Sequence, residues 1–177
     1  DKFANLKLAY AYMCGHPGKK LLFMGQEFGQ WNEWSEKRAL DWYLLEDDSH
    51  KELKDFTKAC LILNKKYRCL YETDYSPEGF RWINANDKDN SVFSFIRISP
   101  DKKRHLLFVF NFTPVERPNH RIGVPVKGKY KLVLGDDMKN QKKTLTSVRG
   151  ECDGYKESLL IDLHRYGIAV YEFNGDV

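Results

Sequence analysis

The sequence predicts an all-β antiparallel sandwich preceded by the last helix–strand–helix piece of a (β/α)8 barrel. Two patterns carry this reading. Up to about residue 70, apolar residues recur at helical spacing on either side of one short, uninterrupted apolar run. From residue 76 onward they fall into short alternating runs separated by turn signals. Composition agrees: 42% apolar, 31% charged and 14% aromatic residues exclude disorder and supply enough ring bulk for a core with some left for a surface.

Taken in order, Phe3, Leu6, Tyr10 and Met13 set the first helix, and Ala4, Leu8, Ala9, Ala11 and Tyr12 add apolar character to its other faces. The helix is therefore expected to be buried nearly all round. Gly15 and Pro17 should stop it, the glycine in a left-handed C′ conformation. Leu21-Leu22-Phe23-Met24, ended by Gly25, reads as a strand buried on both faces, as in a parallel sheet flanked by helices. A loop from Gln26 to Asp48 follows, longer than a plain connection. The second helix opens with a capping box at Ser49 and Glu52 and holds Leu53, Phe56, Cys60, Leu63 and Tyr67 on one face.

Beyond Ser76-Pro77-Glu78-Gly79, strands are predicted over 80–83, 91–98, 105–112, 121–124, 130–134, 159–163 and 168–173. The polar stretch 136–157 reads as a long loop or a weak hairpin. One parallel strand with two helices cannot satisfy its own edges, so the first 70 residues read as the end of a βαβα wheel whose beginning lies elsewhere. The chain opens inside a helical pattern without Met and is expected to be a piece of a longer protein. Domains are expected at 1–73 and 74–177. The β part is expected to fold by itself, with the first 70 residues leaning on it, on the upstream barrel or on another copy.

Several functions are excluded or disfavoured. A net charge of +4, from 29 basic and 25 acidic residues, is too balanced to make nucleic acid the default partner. No run is long enough for a membrane span or a secretory segment. Four cysteines without C-x-x-C spacing argue against a zinc ribbon or a disulfide framework and for a reducing, cytoplasmic setting. Gly15-His16-Pro17-Gly18-Lys19-Lys20 fails the phosphate-loop spacing, and the five isolated histidines offer no metal-ligand pattern. No metal and no cofactor is expected.

The informative segment is Met24 to Trp34, followed by Leu40-Asp41-Trp42. Glu27 comes three residues after the predicted strand, where α/β barrels place their chemistry. Trp31, Trp34 and Trp42 fall within twelve positions among amides and carboxylates. Indole faces suit the apolar faces of sugar rings, and Asn, Gln and Asp suit hydroxyls. The same tryptophans could instead wedge the loop against the barrel, and Glu27 could pair with a buried arginine.

The run His16 to Gln30, with Glu33-Trp34 and Leu40-Asp41-Trp42, resembles the eighth barrel strand and following loop of bacterial 1,4-α-glucan (glycogen) branching enzymes of the alpha-amylase family. Phe80-Arg81-Trp82-Ile83, Asn90-Ser91-Val92, Asn111-Phe112-Thr113-Pro114-Val115 and Arg121-Ile122-Gly123-Val124-Pro125 resemble the all-β C-terminal domain of the same enzymes. The resemblance implies cleavage of an α-1,4 glucan and transfer of the segment to a 6-hydroxyl through a covalent glycosyl-enzyme, with three carboxylates on upstream strands. No position here matches those carboxylates, so no residue is assigned as catalytic and the chain alone is expected to be inactive. Glu27, Trp31, Trp34, Asp41, Trp42 and Trp82 are the residues expected to meet α-glucan (glycogen or amylose), with Trp82 either a platform or a closure of the sandwich. The alternatives are a stand-alone carbohydrate-binding β-module and the same region of an amylase or debranching enzyme.

Overall fold

The computed structural model describes residues 1–177. Two helices, α1 (Lys2–Gly15) and α2 (Asp48–Lys66), precede nine strands. These are β1 (Phe80–Asp87), β2 (Val92–Arg97), β3 (His105–Asn111), β4 (Arg117–Val124), β5 (Lys129–Gly135), β6 (Thr144–Thr146), β7 (Val148–Cys152), β8 (Tyr155–Leu163) and β9 (Ile168–Phe173). A six-stranded sheet in the order β1-β2-β3-β9-β5-β6 faces a three-stranded sheet in the order β4-β8-β7, and every pairing is antiparallel.

The large sheet is covered on both faces. Leu107 and Val109 of β3 join Ile122, Leu159 and Ile161 of the small sheet in one core. Leu106, Phe108 and Phe110, the alternate residues of β3, join Leu8 and Ala11 of α1 and Phe56, Cys60 and Leu63 of α2 in a second. Strand β3 is buried at every position for this reason. The molecule is thus three layers: helices, large sheet, small sheet.

A buried ion pair ties the helical layer to the large sheet. Arg97, fully buried at the end of β2, donates to Asp74 Oδ1 at 2.9 Å, to the Gly15 carbonyl at 2.7 Å and to the Gly79 carbonyl at 3.3 Å. The other Asp74 oxygen accepts from Gly18 N at 3.0 Å. One guanidinium therefore satisfies the end of α1, the connection into β1 and a carboxylate at once.

Several expectations need correction. Leu21–Met24 forms no strand: no neighbouring strand offers backbone partners, and Leu21 is 77% exposed, with Phe23 and Met24 half exposed. Helix α1 is buried along one stripe, Leu8, Ala11, Cys14 and Gly15, and its Phe3-Leu6-Tyr10-Met13 stripe is half-buried. Gly15 is not left-handed. It stays in the helix, and a Cβ there would lie 2.6 Å from the Phe108 ring, so the glycine lets α1 approach β3. Helix α2 is capped by Asp47, whose carboxylate accepts from Ser49 N at 2.8 Å, while Glu52 pairs with Lys7 of α1. Within 136–157 the chain forms β6 and β7, giving nine strands rather than seven. The inter-sheet core is closed by residues of the β part alone, whereas the outer face of the large sheet is covered by the helices. Phe95, Phe108 and Phe110 have no exposed surface and are covered by the helices, a burial of about 1.5–3 kcal/mol each.

Candidate functional site

The aromatic segment after α1 folds back as a pinned loop. Gly25 (φ 87°) and Gly29 (φ 71°) flank a single helical turn, Gln26–Phe28, in left-handed conformations open to glycine at little strain. Gln30 N then bonds to the Gly25 carbonyl at 3.0 Å, closing the loop on itself. Both helices hold it by consecutive carbonyls: Tyr10 donates to Gln26 O at 2.6 Å, Thr57 to Glu27 O at 3.1 Å, and His50 Nδ1 meets Phe28 O at 2.7 Å. Burial, with the Glu27 charge second, raises the Tyr10 hydroxyl above the usual phenol range, which keeps it a donor.

Beyond this anchor the chain opens a cleft of about 450 Å³ lined by Phe23, Met24, Gln26, Gln30, Trp31, Asn32, Glu33 and Trp34. That volume lies in the range of small-ligand sites, roughly 300–1,000 Å³. Trp31 is 58% exposed, with its edge packed on Phe3 and His50 and Lys2 over its ring. Trp34 is 41% exposed and meets Phe23 edge-on at 5.3 Å. Gln30 Nε2 donates to Asn32 O, and Arg38 donates to Glu33 O, which fixes the rim.

The six expected residues separate. Trp31 and Trp34 share the cleft. Asp41 is buried behind it, accepting from Asn32 Nδ2 at 2.8 Å and donating its N–H to Gln30 Oε1 at 2.8 Å. It orients cleft amides and is not among the lining residues. Trp42 leaves the cleft and packs on buried Phe28 at 5.1 Å with its other side in solvent. Glu27 is half-buried beside Tyr10 and makes no ion pair, so the pairing with a buried arginine is not formed. Trp82 lies elsewhere, on β1, edge-packed on Phe80 and Phe95 and 37% exposed. With Tyr12, Ala85, Phe93 and Phe112 it lines a separate shallow apolar depression.

The sequence reading missed the supports Tyr10, His50, Thr57 and Gln30. They lie on other elements or present amides, and no local spacing marks them. The cleft offers two indole rings, two glutamines, one asparagine and one carboxylate around an open space. This set can stack on a flat apolar face and hydrogen-bond hydroxyls.

The family described as alpha amylase, C-terminal all-beta domain, matches residues 82–174. The 1,4-alpha-glucan branching enzyme of Butyrivibrio fibrisolvens is 46% identical over 98% of this chain, which spans 28% of that enzyme. The Aquifex aeolicus branching enzyme is 46% identical over 78% of the chain and 22% of its own length, and a Bacillus cereus one 38% over 96% and 27%. The chain thus spans under a third of the curated relatives it matches. Among solved structures, a Thermus thermophilus protein superposes with a TM-score of 0.65 at 17% identity, covering 94% of this chain and 30% of its own. The isomaltulose synthase of Klebsiella does so with 0.60 at 12%, covering 96% and 38%. The last two carry the fold, a layered β-sandwich behind two helices. Over residues 82–174 the chain belongs to the family of alpha-amylase C-terminal all-beta domains.

Proposed function

We propose that this chain is the C-terminal region of a cytoplasmic 1,4-α-glucan branching enzyme, which cleaves α-1,4 glucan and forms α-1,6 branches. Residues 1–73 complete the catalytic barrel and residues 74–177 form its all-β domain. The observation that carries the reading is the 46% identity over 98% of the chain with the Butyrivibrio enzyme. It runs through the aromatic loop as well as the sandwich. The cleft supports it: Trp31 and Trp34 offer ring faces and Gln26, Gln30 and Asn32 offer amides to an α-glucan, with Asp41 fixing Asn32 and Gln30. Glu27, Trp42 and Trp82 are neighbours of the glucan path rather than part of the cleft.

No residue of the chain is assigned to bond making or breaking. Retaining transfer needs two carboxyl groups roughly 5 Å apart, fixed to within about 1 Å by a complete barrel. The half-exposed run 21–24 has no strand partner here, and the upstream barrel strands would supply one. A stand-alone β-module is disfavoured, because its large sheet would expose Phe95, Phe108 and Phe110. No helix is long and apolar enough to cross a membrane. The test is an assay of the full-length parent on amylose. A fall in iodine absorbance without new reducing ends supports branching, and release of reducing ends identifies a hydrolase instead.

A further inference from the structure

A second cavity, sharing no residue with the aromatic cleft, lies at the edge of the sandwich under the connection between β5 and β6. It measures about 160 Å³, and Asn140, Lys142, Asp162, His164 and Tyr171 bring polar groups to it beside Leu145 and Ile161. Tyr171 of β9 is 2% exposed, yet its hydroxyl has no hydrogen-bond partner in the protein. The other buried phenols are paired: Tyr130 donates to the Val126 carbonyl at 2.7 Å and Tyr67 to Glu172. The buried, unpaired polar side-chain atoms sealed from solvent are Ser94 Oγ and Arg117 Nε. The Tyr171 hydroxyl is not among them, so it opens into the cavity that its residue lines. An unmade bond at so buried a site is costly unless something enters to make it.

Three further groups have free capacity. His164 uses Nδ1 on Asp136 at 2.7 Å, which leaves Nε2. Asp162 uses Oδ1 on Asn119 N at 2.8 Å, and its Oδ2 stands 3.9 Å from Lys142 Nζ. Burial and the nearby Asp162 and Asp136 charges push the Tyr171 hydroxyl up to about 12, so it enters any complex as a proton donor. A carboxylate that accepts, and an ammonium and a phenol that donate, suit hydroxyl groups. With one cation and one anion at the mouth, a charged ligand would meet a like charge on one side. The volume equals about five waters at ~30 Å³ each and is below that of drug-sized sites, roughly 300 Å³ and up. This limits the occupant to about one ring.

We propose that this cavity binds one neutral sugar unit, hydrogen-bonded to Tyr171, Asp162 and Lys142. That the sugar is glucosyl rests on the function proposed above; the preference for a neutral polyol rests on the cavity itself.

The test is titration of the 177-residue chain with maltose, followed by amide NMR. Saturable shifts are expected at residues 140–142 and 162–164. Affinity should fall roughly tenfold in Tyr171→Phe, the equivalent of one good hydrogen bond. Asp162→Asn keeps an acceptor for Asn119 and gives a second variant should Tyr171→Phe fold poorly; it too should weaken binding. If galactose saturates these amides where maltose does not, the site stands and the glucan reading loses support. Shifts confined to residues 23–34, affinity unchanged in both variants, or no saturation with either sugar would overturn the proposal and leave a water-filled cavity.

Discussion

Replacing Asp74 with Ala isolates the interaction that holds the helical layer to the large sheet. Arg97 has no exposed side-chain surface and Asp74 only 8%, so neither charge is repaid by water. In the variant the guanidinium keeps its bonds to the Gly15 and Gly79 carbonyls but loses its counter-charge, and Gly18 N loses its acceptor. Breaking a buried pair from one side costs about 3–5 kcal/mol, against a total stability of about 5–15 kcal/mol for a domain. At about 2–4 °C per kcal/mol for a chain of this size, Tm should fall by roughly 6–20 °C. Urea unfolding followed by tryptophan fluorescence measures the loss directly. The double variant Asp74→Asn with Arg97→Met should lose less than the two single changes summed, since no lone charge remains buried. A loss below about 1 kcal/mol, the worth of an exposed pair, would instead place the pair in water.

A chain cut to residues 74–177 should bind hydrophobic dyes and aggregate on size-exclusion chromatography, because it uncovers the aromatic face of the large sheet; a monodisperse, well-dispersed NMR spectrum would contradict this. Gly15→Ala should destabilise by about 1–3 kcal/mol through overpacking on Phe108, although alanine is the better helix former by about 1 kcal/mol; thermal unfolding decides which wins. His164 is raised above its ordinary range by its hydrogen bond to Asp136. Its contribution is therefore fully present below pH ~6.5 and lost as pH rises through the raised folded value. The stability gap between the natural chain and His164→Gln, measured by urea titration, should narrow with increasing pH, and a gap that widens would reverse the sign argued here.

What the sequence disclosed follows from the range of the forces involved. The seven runs became strands because their apolar spacing is written locally, as in β5, where Tyr130, Leu132 and Leu134 are buried and Lys129 and Lys131 are exposed. The run Leu21–Met24 has the same local signature, but a strand needs a neighbour's backbone and none lies beside it. Gly15 reads locally as a stop, whereas its role is set by Phe108, some ninety positions away. Arg97 looks like a solvent-facing charge between two isoleucines until Gly15, Asp74 and Gly79 converge on it. At the candidate site, the density of tryptophans is visible in the sequence, and the structure brings Trp31 and Trp34 to one cleft. Asp41 proved to be a support because its bonds to Asn32 and Gln30 depend on how the loop turns.

The cleft of Trp31 and Trp34 is the place at which we propose that this region meets α-glucan. The most direct measurement is amylose or maltooligosaccharide affinity of the full-length parent carrying Trp31→Ala and Trp34→Ala, singly and together, with unfolding curves alongside. Each ring contributes about 0.5–1.5 kcal/mol as a stacking partner, so the pair should weaken binding by roughly five- to 150-fold. The exposure of both rings predicts little change in Tm. Affinity unchanged in the double variant, with Tm lowered by many degrees, would contradict the account and make both tryptophans wedges that hold the loop.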